Sequence, residues 1–419
     1  MEQLTRRLGV SDAVVIGLGS MLGAGVFVVF APATAAAGSG PGLLAALAVA
    51  GFVAYCNATS SARLAARYPE SGGTYVYGRE RLGPFAGFVA GWGFVVGKTA
   101  SCAAMALTIG AYLWPGQARP VAVAAVLALT AVNLRGVQKT ARATRWLVAV
   151  TLTVLVLVAA VGLFGGEFGA DRISEATGGA GSIDHGLVPV GLLTAAGLLF
   201  FAFAGYARIA TLGEEVREPE RTIPRAVPLA LGLVLLVYLA LAVITLAVLG
   251  PARLAASTAP LADVVDTTGL TGLDWVVRAG ATVAVTGVLL ALIAGVGRTV
   301  LAMARRHDLP GGLAAVHPRQ RVPHRAEIAV AAVVVLVVSL GDIRHAIGFS
   351  SCTVLVYYAI TNAAALTLGR DPDRRLPVRL LAVLGLAGCL LLALALPLGS
   401  LLAGIAVLAV GALVHLLRR

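Results

Sequence analysis

The chain is 419 residues long, and 59% of these residues are hydrophobic while only 12% are charged. A soluble domain carries about a quarter of its residues as charged ones, so this composition excludes a water-soluble protein. The net charge of +12 is spread over many short loops, which argues against a nucleic-acid-binding surface. The apolar runs are long enough to cross a bilayer as helices, and they lack the alternation of a β-barrel.

Twelve apolar segments follow one another, and we predict that each crosses the membrane as a helix. Most of the 32 lysines and arginines lie in alternate loops between these segments. Positively charged loops stay in the cytoplasm, so we expect a multi-pass cell (inner) membrane protein with both termini cytoplasmic. The N-terminus resembles a signal peptide, but the segments that follow it favour a retained first helix. The predicted segments are 10–37, 41–66, 84–113, 118–134, 144–165, 187–213, 225–250, 275–304, 326–341, 346–368, 377–396 and 399–417.

The first and sixth segments contain glycine where a straight helix gains nothing from it. Segment 1 has the run from Gly17 to Gly25, and segment 6 has Gly205 after several phenylalanines. The two segments begin on opposite sides of the membrane, so a repeat of five helices would be inverted. Glycine-interrupted segments at matching positions of two inverted halves are typical of a transporter's central site. Close helix packing through Gly19 and Gly23 is the alternative interpretation.

Four motifs, in the same order along the chain, resemble those of the amino acid–polyamine–organocation superfamily of permeases. They are GSMLGAGVF at 19–27, YPESGGTYVYGRERLGPFAGFVAGW at 68–92, FFAFAGYARIATLGEEVREPERTIPRA at 200–226 and GRTVLAMARRHDLP at 297–310. The resemblance implies an all-α membrane protein with the LeuT-type fold of two inverted five-helix repeats. The first repeat would cover 1–165 with a broken helix 1, and the second 187–369 with a broken helix 6. Residues 370–419 would form helices 11 and 12 and a cytoplasmic C-terminus.

The resemblance also implies a substrate site at the two breaks. In this superfamily the break in helix 1 holds the substrate carboxylate, chiefly through backbone amides at a helix N-terminus, and the break in helix 6 holds the amine. By position, Ser20, Gly23, Ala24 and Gly25 would bind the carboxylate through their backbone amides, with the hydroxyl of Ser20 as a further candidate donor. Carbonyls near Phe203 and Ala204 would bind the ammonium group, and Gly205 would permit the unwinding because other residues resist its dihedral angles. Phe201 lies where relatives place an aromatic gate, although a packing role fits it equally well.

Ionisable residues in the segments are candidates for coupling and gating. Lys98 lies near the middle of segment 3, where burial disfavours the charged ammonium and makes proton release easier. A structural lysine that bonds carbonyls of a helix break is the alternative. Several superfamily members use a lysine in helix 5 for proton coupling, whereas the aligned residue here is Thr151. Glu214 and Glu215 lie at the cytoplasmic end of segment 6 with Arg208, and they form a candidate inner gate of individually weak ion pairs.

The sequence therefore predicts a secondary active transporter that imports amino acids by alternating access, with the proton as the coupled ion. No acidic residue lies deep in the segments, and the charges of Lys98 and Arg208 favour neutral amino acids. A cationic amino acid or polyamine transporter or exchanger is the alternative. The inner half of segment 8, residues 287–297, contains neither serine nor threonine, so a sodium ion would lack hydroxyl ligands there.

Other functional classes fit the residues less well. A membrane-embedded enzyme would need acid–base or metal groups at depth, but the six histidines lie in loops or at segment ends. A channel would need polar rings along a pore. The sequence at 91–99, GWGFVVGKT, misses the spacing of a phosphate-binding loop by one residue, so ATP binding is not expected. No cofactor or metal is expected, and the predicted partners are an amino acid, a proton and the lipid bilayer.

Overall fold

The computed structural model describes residues 8–69, 72–136, 141–165, 188–210, 216–269, 272–368 and 377–417. Regular structure in these residues is helical, apart from one isolated bridge between Leu8 and Val216. The α-helices are α1 (Val10–Met21), α2 (Ala24–Val28), α3 (Phe30–Ala37), α4 (Gly40–Arg67), α5 (Thr74–Leu82), α6 (Pro84–Leu113), α7 (Ala118–Leu134), α8 (Ala141–Phe164), α9 (Val188–Phe203), α10 (Ala207–Ala210), α11 (Pro219–Ala256), α12 (Pro260–Asp266), α13 (Leu273–Arg305), α14 (His324–Leu340), α15 (Ile343–Leu366), α16 (Pro377–Leu394) and α17 (Leu398–Leu417). Short 3₁₀ turns lie at Pro115–Gln117, Ala204–Tyr206 and Gly311–Ala314.

Ten helical segments among the described residues are long and apolar enough to cross a membrane. The prediction of an all-α membrane protein is therefore confirmed. The other two predicted segments correspond to α14, which has 17 residues, and to the shorter apolar helix Val378–Leu394. The count of twelve spans stays a prediction.

Helix termini in the described residues carry recognisable sequence signals. Ser39 precedes α4, and its hydroxyl accepts the amide proton of Gly42 at 3.2 Å. Asp342 precedes α15, and its carboxylate accepts a hydrogen bond from the backbone amide of His345 at 2.8 Å. α3 ends at Ala37, and the following Gly38 has a φ of 70°, in the left-handed region that glycine adopts without strain. These caps satisfy backbone groups that the ends of helices leave unpaired.

The helices differ strongly in how much of their surface the protein covers. In α6, 83% of the apolar stretch is buried, and this helix packs against α13 and α15. Only 22% of the corresponding stretch of α17 is buried, so most of that helix is left to face lipid. α6 is therefore a central helix, and polar side chains on it lie in the protein interior.

Candidate substrate site

The first long segment is interrupted inside its glycine run. α1 ends at Met21, and Leu22 and Gly23 leave helical geometry with ψ of 47° and −143°. α2 then begins at Ala24. The last carbonyls of α1 and the first amides of α2 lack the helical partners that they would have in a continuous helix. This break presents both kinds of backbone group within a few residues.

A second interruption follows α9. The helix ends at Phe203, passes through the 3₁₀ turn Ala204–Tyr206, and continues as α10. A 3₁₀ turn pairs residues three apart instead of four, which disturbs the hydrogen-bond ladder at its edges. The carbonyls of Ala202 and Ala204 both accept hydrogen bonds from side chains of other helices. The second break thus also offers backbone oxygens for binding.

Gly205 brings the two breaks into contact. The expected reason for this glycine, an unusual dihedral angle, is wrong, because Gly205 is not among the residues with positive φ. A Cβ atom at this position would instead overlap the carbonyl of Ser20 and lie 2.8 Å from the amide nitrogen of Met21. Glycine is needed here because two backbones approach each other too closely for any side chain.

The glycine run of α1 and α2 packs in the same way. A Cβ atom at Gly25 would lie 2.6 Å from both Cα and Cβ of Ala202. A Cβ atom at Gly19 would lie 2.8 Å from Val148, and one at Gly23 would lie 3.1 Å from the side chain of Val288. The packing interpretation therefore applies to these glycines. It is compatible with a ligand role for the backbone amides of the same residues.

Tyr238 on α11 joins the two breaks directly. Its hydroxyl oxygen lies 2.6 Å from the carbonyl oxygen of Met21 and 3.0 Å from that of Ala202. A phenol has one proton, so it donates fully to only one of these carbonyls at a time. The ring packs edge-on or tilted against Phe30 and Phe203. Sequence reasoning missed Tyr238, whose only signal is its place as a lone tyrosine in an aliphatic helix.

Lys98 reaches the second break from α6. Its side-chain nitrogen donates to the carbonyl of Ala204 at 3.4 Å, and the hydroxyl of Tyr358 donates to the same oxygen at 3.3 Å. A carbonyl oxygen has two lone pairs, so this acceptor is fully used. The carbonyl that the resemblance assigned to the substrate ammonium is thus held by the protein's own groups. The geometry is that of a lysine bonding a carbonyl of a helix break.

Ser20 and Phe201 occupy other environments. The hydroxyl of Ser20 donates to the carbonyl of Ile16 at 2.9 Å, within its own helix. It is therefore engaged in α1 and does not point freely into the break. Phe201 is buried on α9, which fits a packing residue as well as a closed gate.

Thr151 lines a small cavity between α1, α8 and α13. The cavity has a volume of about 20 Å³, room for about one water molecule. Its hydroxyl groups come from Thr144 and Thr151, and the remaining lining residues are glycine, alanine, valine and leucine. Thr151 itself donates to the carbonyl of Leu147 at 2.8 Å, so its hydroxyl proton is already used.

The predicted inner gate is only partly described. Glu214 and Glu215 lie outside the described residues, and Arg208 is exposed. Nearby, Arg221 and Glu218 form an exposed ion pair at 3.2 Å. Because Arg208 is exposed, it does not add positive charge to a buried cavity, and that part of the sequence argument was wrong.

A buried polar network lies beyond the end of α13, where sequence reasoning had placed no site. The carboxylate of Asp308 accepts the hydroxyl of Tyr75 at 2.6 Å and the guanidinium of Arg79 at 2.9 Å. His415 on α17 lies 3.6 Å from the same carboxylate, and its ring stacks on Phe88. Burial and the hydrogen bond to Asp308 raise the pKa of Tyr75. The network ties α5 to the ends of α13 and α17.

These features define the class of the protein. A helical membrane chain with two interrupted helices that contact each other at their breaks has the architecture of a transporter. The amino acid permease family model matches residues 12–368, and the chain belongs to that family. It is accordingly a transporter and not an enzyme.

Individual relatives agree with this assignment. An uncharacterized transporter of Mycobacterium tuberculosis is 62% identical over 418 residues, which cover 100% of this chain and 92% of that protein. The branched-chain amino acid permease BcaP of Bacillus subtilis is 26% identical, with 78% of this chain and 72% of that protein covered. Cationic amino acid transporter 7 of Arabidopsis thaliana is also 26% identical, with 86% and 65% covered.

The fold has a counterpart among solved structures. The crystal structure of MhsT in complex with L-phenylalanine matches with a TM-score of 0.63 at 16% sequence identity. The match covers 94% of this chain and 99% of that chain. At this identity the likeness concerns the fold alone, and it confirms the expected LeuT-type fold.

Proposed function

We propose that the protein imports amino acids by alternating access, with the substrate bound where the two breaks meet. The contact between Gly205 and the end of α1 carries this proposal, because it brings backbone amides and carbonyls of two broken helices to one place. The amides of Gly23, Ala24 and Gly25 would bind the carboxylate. The repeats 1–165 and 187–369 would move relative to each other around this point, with 370–419 outside them.

The ammonium group of the substrate is proposed to bind beside Tyr238. The carbonyls of Met21 and Ala202 share one hydroxyl proton, so one of them can accept a further donor. The carbonyl of Ala204, in contrast, already has two donors. The proposed ammonium site is therefore shifted by about half a helical turn from the position that the motif alone implied.

Substrates without a cationic side chain are favoured in this proposal. A cationic side chain of the substrate near the break would be repelled by the ammonium of Lys98. Like charges about 4 Å apart repel by about 4 kcal/mol at an effective dielectric constant near 20. The names of the relatives cover both branched-chain and cationic amino acids, and the charge of Lys98 is the observation that supports this preference. This preference can be tested by letting a panel of unlabelled amino acids compete with the uptake of a labelled one into proteoliposomes. Inhibition chiefly by arginine and lysine would contradict it.

The driving ion is proposed to be the proton, with Lys98 as its carrier. A hard cation prefers a shell of several oxygen ligands. The small cavity beside Thr151 offers only two hydroxyl groups, and the inner half of α13 at 287–297 has none. We expect uptake into proteoliposomes to follow an inward proton gradient and to be unchanged when sodium replaces potassium. Sodium-dependent uptake at fixed pH would overturn this proposal.

Membrane orientation gives a separate test. We propose that the loop with Gln117 faces outward and the loop with Arg319 faces the cytoplasm, since positive charge stays inside. Both residues are exposed, and the four native cysteines are buried, so background labelling should be low. In intact cells a membrane-impermeant thiol reagent should label the Gln117→Cys protein but not the Arg319→Cys protein. The Arg319→Cys protein should be labelled only after the membrane is permeabilised. The reverse pattern would invert the orientation.

A further inference from the structure

Lys98 is a buried cation with very few partners. Its side chain is only 9% exposed. An ammonium group has three protons to donate, and within the described residues Lys98 makes one hydrogen bond, at 3.4 Å. It forms no ion pair with a carboxylate in that part of the chain. Burying an uncompensated charge is costly, so this group is poised to gain an anionic partner.

The position of Lys98 places that partner in the proposed substrate site. Its nitrogen contacts the carbonyl of Ala204, and the next residue, Gly205, abuts the ends of Ser20 and Met21. The α-carboxylate and the ammonium of the substrate are assigned to backbone groups at the two breaks. Two polar side chains at this junction have unused donors within the described residues: the ammonium of Lys98, which comes from a third helix, α6, and the hydroxyl of Tyr206. Of these two, Lys98 carries the charge that an anionic partner would neutralise.

We propose that Lys98 is the counter-charge for a side-chain carboxylate, so that the site binds acidic amino acids more tightly than amides of the same shape. This inference rests on the proposed function and names its substrate class more narrowly. A carboxylate would receive charge-assisted hydrogen bonds from the unused protons of Lys98, whereas an amide would gain only neutral contacts. Binding the anion also stabilises the protonated lysine, so proton and substrate would bind together, as a symporter requires.

The test measures equilibrium binding of glutamate against glutamine, and of aspartate against asparagine, to the purified full chain in detergent, so that the readout does not depend on proton-coupled uptake. For the wild-type protein we expect each acid to bind at concentrations at least tenfold lower than its amide. In Lys98→Met the affinity for the acids should fall at least tenfold while that for the amides changes less than twofold. Lys98→Arg should keep the preference. Ser101→Ala is the matched control on α6, because Ser101 bonds Ser350 at 2.7 Å, and it should leave the ratio unchanged.

The outcomes separate this inference from the proposed function. A wild-type protein that binds glutamine and asparagine but not the acids would overturn the inference and leave amino acid transport intact. A Lys98→Met protein whose binding affinity falls equally for the acids and the amides would make Lys98 a structural residue and overturn the inference. If Lys98→Met does not fold, the wild-type ratio and the Lys98→Arg variant still decide. A wild-type protein that binds no amino acid would remove the proposed function itself.

Discussion

Replacing Gly205 with alanine should abolish uptake and lower the thermal stability of the purified protein. The added methyl group would overlap the carbonyl of Ser20 and press on the amide of Met21. Both obstacles are backbone atoms, which cannot rotate away as a side chain can. Overpacking of this kind costs about 1–3 kcal/mol and occasionally more, and here it separates the two breaks that form the site. Uptake of radiolabelled substrate and the melting temperature in detergent measure the two effects.

Gly232→Ala is the matched control for this substitution. Gly232 lies in the exposed face of α11, and a Cβ atom there would have nothing within 4 Å. Alanine should keep normal uptake and stabilise the helix by about 0.4–1 kcal/mol. Normal transport by the Gly205→Ala protein would show that the close contact between the breaks is not needed. A Gly25→Val variant separates these roles less well, because it would also force α2 away from Ala202.

Replacing Tyr238 with phenylalanine should reduce uptake at least tenfold, with most of the loss in substrate affinity. The ring and its packing against Phe203 remain, but the hydroxyl that serves Met21 and Ala202 is removed. A buried carbonyl left without a donor costs about 1–3 kcal/mol, and these two carbonyls belong to different broken helices. The breaks would lose both their shared donor and their relative position. Substrate concentration series for uptake measure the change in KM and maximal rate separately.

Tyr112→Phe provides the control for the loss of a buried phenol. The hydroxyl of Tyr112 donates to the carbonyl of Phe27 at 2.8 Å, so the chemistry matches but the contact lies outside the breaks. Both variants should lose similar stability, and only Tyr238→Phe should lose substrate affinity. Equal loss of affinity in the two proteins would reduce Tyr238 to a general packing residue.

The class of the protein could be predicted without the structure because it follows from solvent physics. Backbone groups in lipid must be satisfied within each segment, so long apolar runs with few charges can only be helices. The glycine run near Gly23 also located the first break, since glycine there is costly in an uninterrupted helix. The segment count was harder to derive, because α14 is short and carries charged residues in its first turn.

The contacts of the site were decided by tertiary structure. Tyr238 is 217 residues from Met21, and Lys98 is 106 residues from Ala204. Hydropathy is nearly uniform along such helices, so it does not say which face of one meets which face of another; packing of side chains of particular size decides that. The same holds for Gly205, whose role is the approach of another backbone and not its own dihedral angle. Composition and motifs were enough to predict a permease, whereas the identity of the atoms that face the substrate depended on how its two broken helices cross.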